Sequence, residues 1–130
     1  MSDLPKPAVV VFAKDLARVA KFYEEVAAMT VAHRDSDHVV LDSERMQVIV
    51  HAIPKAIAER IELADPPARR EDTPIKLCLP VASIARARAI AARLGGKLDA
   101  PDREWQARGF RACDGHDPEG NVVQFRERAV

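Results

Sequence analysis

Aromatic side chains are scarce in this chain, at 5% of 130 residues with one Trp and one Tyr. Net charge is missing too, because 20 Lys and Arg stand against 20 Asp and Glu. Without a basic field or stacking platforms, nucleic acid is not an expected partner. No apolar run approaches the length of about 18 residues needed to span a bilayer, so no membrane partner is expected either. The opening MSDLPKP has neither the basic nor the apolar region of a secretory signal. There are only two cysteines, Cys78 and Cys113, and they make no metal-type spacing. Free thiols in a reducing cytoplasm are the expectation. What is present is a globular mixture, 48% hydrophobic and 31% charged. Its length suits one compact domain or two fused modules of about half that size.

Two segments share one pattern under different letters. The first follows the apolar run AVVVFA and begins at Asp15, whose carboxylate suits a helix N-cap. Leu16, Val19, Tyr23 and Val26 then fall on one helical face. The second follows IKLCL and begins at Ser83, with Ile84, Ala87, Ala91 and Leu94 on its stripe. Cap and stripe positions all repeat at an offset of 68 residues, which reads as a duplicated unit. The strand candidates TVAHRD, HVVLD and MQVIVHAI follow the first helix, with turn signals at Asp35–Asp37 and Asp42–Arg45. KLDA, GFRACD and VVQFRE follow the second, with APDREWQA as loop and HDPEGN as the last turn. The pattern predicts an α+β fold of two tandem βαβββ modules. It forms a single domain over residues 1–130, with modules at 7–53 and 75–128 and a linker at 54–74. In the linker, Pro54 opens a short helix bearing Ile57 and Ile61, and Arg69-Arg70-Glu71-Asp72 reads as a solvated run.

VFAKDLARVAKFYEEV opens the first module and DPEGNVVQFRE closes the second. With two βαβββ units, the chain resembles the vicinal oxygen chelate superfamily from about Ala8 to Arg128. Glyoxalase I, extradiol dioxygenases, fosfomycin-resistance enzymes and bleomycin-resistance proteins belong to it. The resemblance implies a curved mixed sheet forming a cup, helices outside, a ligand inside and assembly as a homodimer. It also implies a divalent metal held by the first and last strands of each module. Carried over, those positions fall on Ala8, Lys76, His51 (or Ile49 in another register) and Gln124. Ala8 has no donor atom. At about 4 Å and an effective dielectric of about 20, a lysine and a divalent ion repel by roughly 8 kcal/mol. His51 and Gln124 alone make too few ligands for a tight centre. No cofactor is therefore expected, and any metal would have to use His51 and Gln124.

Strand parity gives a second route to the cup. Ile75, Leu77 and Leu79 should face the helices and Lys76 and Cys78 the cup. Val123 and Phe125 should be core, leaving Val122, Gln124 and Arg126 inside. Met46, Val48 and Val50 should be core, leaving Gln47, Ile49 and His51 inside. The resemblance alone sets Ala8, Val10 and Phe12 on the cup side. The expected ligand-binding set is Phe12, Gln47, His51, Lys76, Cys78, Trp105, Gln124 and Arg126, an apolar wall with few polar contacts and no acid. Each has a plain alternative: Lys76 at the sheet rim, Arg126 paired with a surface acid, His51 as a strand-end residue, Cys78 as an inert buried thiol, Trp105 as packing or interface. His33 and His38 flank a polar turn and are expected to be exposed, and His116 to serve the last turn.

Three functions stay open. The first is a glyoxalase/bleomycin-resistance-like binding protein with a degenerate metal site, its ligand a partly apolar organic anion held by Lys76 and Arg126. The second is a lyase, isomerase or dioxygenase. It would be either metal-dependent through a non-standard ligand set or metal-free, with His51 as general base and Lys76 polarising a carbonyl. The third is an interaction module that leaves its cup unused.

Overall fold

The computed structural model describes residues 4–129. Strand β1 (Ala8–Ala13) leads into helix α1 (Leu16–Val26), followed by β2 (Thr30–Arg34), β3 (His38–Asp42) and β4 (Gln47–Ala52). A short helix α2 (Lys55–Ala58) opens the linker. Then come β5 (Leu77–Pro80), α3 (Ile84–Arg93), β6 (Lys97–Leu98), β7 (Trp105–Gln106), β8 (Phe110–His116) and β9 (Val122–Arg128). One sheet has the order β1-β4-β3-β2 and the other β5-β9-β8-β6, with β7 added on β8. In each, the strand before the helix pairs parallel with the last strand, and the remaining pairings are antiparallel. No helix among the described residues is long and apolar enough to cross a membrane.

The internal repeat is visible in atomic detail. The Asp15 carboxylate accepts from the Arg18 amide at 3.2 Å, and the Ser83 hydroxyl accepts from the Arg86 amide at 3.1 Å. Each bond satisfies a free N–H of a first turn. The apolar stripes face the sheets: Val19, Phe22 and Tyr23 of α1, and Ile84, Ala87 and Ala91 of α3, are buried. Helix α1 packs on β3 and β4, α3 on β6 and β9, and the helices touch each other. Val39, Leu41, Val48, Val50, Leu79, Val123 and Phe125 complete one core.

The last turn joins the halves. The Glu119 carboxylate accepts from the amides of Lys14 (2.8 Å) and Asp15 (2.7 Å) at the β1–α1 junction. Asp117, fully buried, accepts from the Tyr23 hydroxyl at 2.7 Å and from Glu119, Asn121 and its side chain. The linker lies across the same turn, with the Arg70 amide donating to Gly120 at 2.8 Å.

Three sequence expectations need correction. Trp105 is in strand β7, not a loop, because the segment pairs with β8. Ile75 does not face the helices. Strand β5 begins only at Leu77, and Ile75 is 75% exposed. The linker arginines are not simply solvated: Arg69 donates to Asp99 at 2.7 Å, and Arg70 bridges to Asn121.

Candidate functional site

Both sheets bury one face under the helices and leave the other open. On β1, Ala8, Val10 and Phe12 alternate outward, with Val10 46% and Phe12 60% exposed. Register then carries the open face across the sheet: Ala8 lies opposite Gln47, and Phe12 opposite His51. His51 lies opposite His38 in turn. In the second sheet Cys78 lies opposite Gln124, Asp114 opposite Gln124, and Ala112 opposite both Arg126 and Trp105. Gln47, His51, Cys78, Gln124, Arg126 and Trp105 therefore lie on the faces turned away from the helices, Gln124 being buried there.

The polar groups of the second sheet form one chain of contacts. Lys76 donates to Asp114 at 3.0 Å, and the Gln124 amide donates to the other Asp114 oxygen at 3.1 Å. The Gln124 oxygen accepts from Arg126 Nε at 2.7 Å. The Arg126 guanidinium sits 4.4 Å from the centroid of the Phe110 ring, and Arg108 approaches the same ring at 5.6 Å. Such contacts hold a cation against an apolar surface without neutralising it. The lining is thus not free of acid. Asp114 neutralises Lys76, while Arg126 makes no ion pair among the described residues. Sequence reasoning missed Asp114 and Phe110, although the two-residue period of GFRACD puts Phe110, Ala112 and Asp114 together on the face opposite Cys113. Cys113 itself has its thiol pKa pushed up, mainly by burial.

Between the unpaired edges of β1 and β5 runs a cavity of about 520 Å³, lined by Val10, Phe12, Ile53, Ile61, Ile75 and Val122 among others, with Arg70 at its wall. A smaller polar hollow of about 190 Å³ adjoins it through Ile75 and Val122 and is lined by Arg69, Lys76 and Asp114. Along β9, Val122, Gln124 and Arg126 follow on the same face at steps of about 7 Å. The trough thus adjoins the Lys76 and Asp114 end of the polar chain, while Gln124 is buried between Val122 and Arg126.

The superfamily's metal does not fit here. Ala8 offers no atom, Lys76 is a cation bound to Asp114, and the Gln124 oxygen is occupied by Arg126. Gln47, opposite Ala8, donates to Asp42, which also takes Lys6. His51 lies four residues along the strand from that position, about 13 Å away. Its Nδ1 bonds the Ala52 carbonyl at 2.9 Å, which leaves Nε2 as the acceptor nitrogen of the neutral ring.

His38 and His51 rings are stacked at 5.7 Å, Phe12 tilts against His51 at 5.9 Å, and His33 lies 5.0 Å from His38. A row of four rings thus crosses the first sheet. At its end Asp35 bonds His33 Nε2 at 2.8 Å and lies 3.2 Å from His38 Nδ1. Hydrogen bonds from His33 and from the Asp37 and His38 amides hold its carboxyl well below the usual range.

A glyoxalase-like domain family model matches residues 8–125. Comparison with curated proteins gives no significant match. Among solved structures, the chain is similar to a glyoxalase/bleomycin resistance protein/dioxygenase family enzyme from Burkholderia phytofirmans, with TM-score 0.67, 17% identity and coverage of 94% of this chain and 97% of that one. It is similar to a bleomycin-binding protein complexed with bleomycin, with TM-score 0.57, 18% identity and coverage of 98% and 100%. A fosfomycin resistance protein from Mesorhizobium loti gives TM-score 0.63, 11% identity and coverage of 100% and 96%. At these identities the structural likeness speaks for the fold alone, and it agrees with the match that spans nearly the whole sequence: the chain belongs to the glyoxalase-like domain family, within the vicinal oxygen chelate superfamily that its repeat and its terminal turn resemble.

Proposed function

We propose that this protein binds a partly apolar organic anion, with its apolar body in the trough between β1 and β5 and its acid group against Arg126. One observation carries the reading. The 520 Å³ trough reaches β9 at Val122, and four residues further along the same strand a guanidinium rests on Phe110 and makes no ion pair among the described residues. Apolar walls with a few orienting polar groups are the usual make-up of a small-molecule site. The bleomycin-bound neighbour offers a fold-level analogy for ligand binding. Lys76 has a lesser part than its charge suggests, since Asp114 already holds it. That pairing also weighs against Lys76 as the group polarising a carbonyl, and His51 belongs to the other sheet. The reading includes a homodimer in the cytoplasm and no metal at the strand-end position.

The test is a thermal-shift screen of aromatic and branched carboxylates and phosphonates on EDTA-treated protein, since a ligand of the native state raises apparent stability. Hits are then titrated by the fluorescence of Trp105, the only tryptophan. Removing a charged hydrogen-bond partner in Arg126→Ala should cost about 1.5–3 kcal/mol of binding, with Arg126→Lys intermediate. If no anion in the screen stabilises the protein, or if Arg126→Ala binds the hit as tightly as the wild type, the proposal fails.

A further inference from the structure

We infer that His33, Asp35 and His38 form a transition-metal site at the β2–β3 turn, separate from the superfamily's strand-end position and from the anion site above. Two imidazoles and one carboxylate converge there, with one ligand atom from each lying within 4.8 Å of the others. In a tetrahedral shell with bonds of about 2.0–2.2 Å, donor atoms lie a little over 3 Å apart. His33 Nε2 lies 2.8 Å from Asp35 Oδ2 and His38 Nδ1 3.2 Å from Oδ1, so the imidazoles approach different oxygens of one carboxylate. Side-chain rotation must bring the three ligand atoms from within 4.8 Å into that shell.

The carboxylate is held ready. Asp35 Oδ1 accepts from the Asp37 amide at 2.7 Å and the His38 amide at 3.0 Å, which fixes its plane as outer-shell bonds do in established sites. The turn is anchored as well: the Ala52 amide donates to the Asp37 carbonyl at 2.7 Å, and His38 stacks on His51. His33 and Asp35 are exposed and His38 half-buried, so solvent can supply a fourth ligand, and a cavity of about 510 Å³ lies beside the turn, lined by Ser36, Asp37 and His51. Of the two lysines that line that cavity, Lys14 donates to the Ile61 carbonyl and Lys55 lies 4.0 Å from the Glu59 carboxylate. Two neutral imidazoles with one carboxylate select Zn²⁺, Ni²⁺ or Cu²⁺ over Mg²⁺ and Ca²⁺. Binding replaces the ring protons that now face Asp35.

The experiment is calorimetric titration of tag-free protein with Zn²⁺ and Ni²⁺, with Mg²⁺ in parallel. One ion per chain is expected, with Mg²⁺ silent and affinity falling by roughly tenfold or more in His33→Gln and again in His38→Gln, because each removes one of three ligands. Circular dichroism establishes that both variants stay folded. No saturable Zn²⁺ or Ni²⁺ binding by the wild type, or binding that both variants retain unchanged, would overturn the site. The anion proposal is read in EDTA and through Arg126, so either can fail alone.

Discussion

Tyr23 is the only tyrosine, and its hydroxyl crosses from the first half of the chain to Asp117 in the second. Burial, then the nearby Asp117 carboxylate, push its phenol pKa well above the ordinary 10.0. In the unfolded chain the phenol ionises near 10.0, so above that pH unfolding releases a proton that the folded state retains. The Tyr23 contribution is thus fully present below pH 10.0 and is lost as pH climbs towards the higher folded value. Tyrosinate absorbance should show one phenol that titrates only with unfolding. Tyr23→Phe should flatten the alkaline fall in stability relative to the wild type. At neutral pH it should cost about 1–3 kcal/mol, since buried Asp117 loses a donor. A phenol that titrates normally in folded protein would contradict this.

At the scale of elements, the two capped helices are the same device used twice. Asp15 and Ser83 each bond the amide three residues on, and they share no partner. Asp15→Ala and Ser83→Ala should each lower stability by about 0.5–2 kcal/mol, measured as a denaturant midpoint shift at constant m. The double variant should show the sum to within about 0.5 kcal/mol. A strongly non-additive double would mean that the helices do not fold on independent caps. These helices were legible because cap and stripe are local, written within one or two turns. Strand β7 was not, since two residues carry no period and become a strand only by pairing Trp105 with Ala112. The Lys76–Asp114 contact was equally hidden, because 38 residues separate its partners and only the sheet brings them together. Parity placed Gln124 and Arg126 on one face, but not the bond between them that sets the amide's orientation.

On the scale of the whole molecule, the halves are tied by the 117–121 turn and by the linker that crosses it. Gly120 is where that crossing is tightest. It has φ +85, and a Cβ there would sit 2.0 Å from the Ala68 carbonyl oxygen. Gly109 supplies the comparison, with φ +76 and nothing within 4 Å of a Cβ. Both replacements by Ala incur left-handed backbone strain of about 1–2 kcal/mol, but only the one at Gly120 must also expel the linker. Expulsion breaks the Arg70–Gly120 bond and takes Arg70 from the wall of the trough. Gly120→Ala should therefore destabilise clearly more than Gly109→Ala. It should also speed tryptic cleavage after Arg69 and Arg70 under native conditions and weaken anion binding, whereas Gly109→Ala should leave the cleavage rate unchanged. Equal destabilisation and equal cleavage in the two variants would mean that the linker does not brace the turn, and that the trough is shaped by the two sheet edges alone.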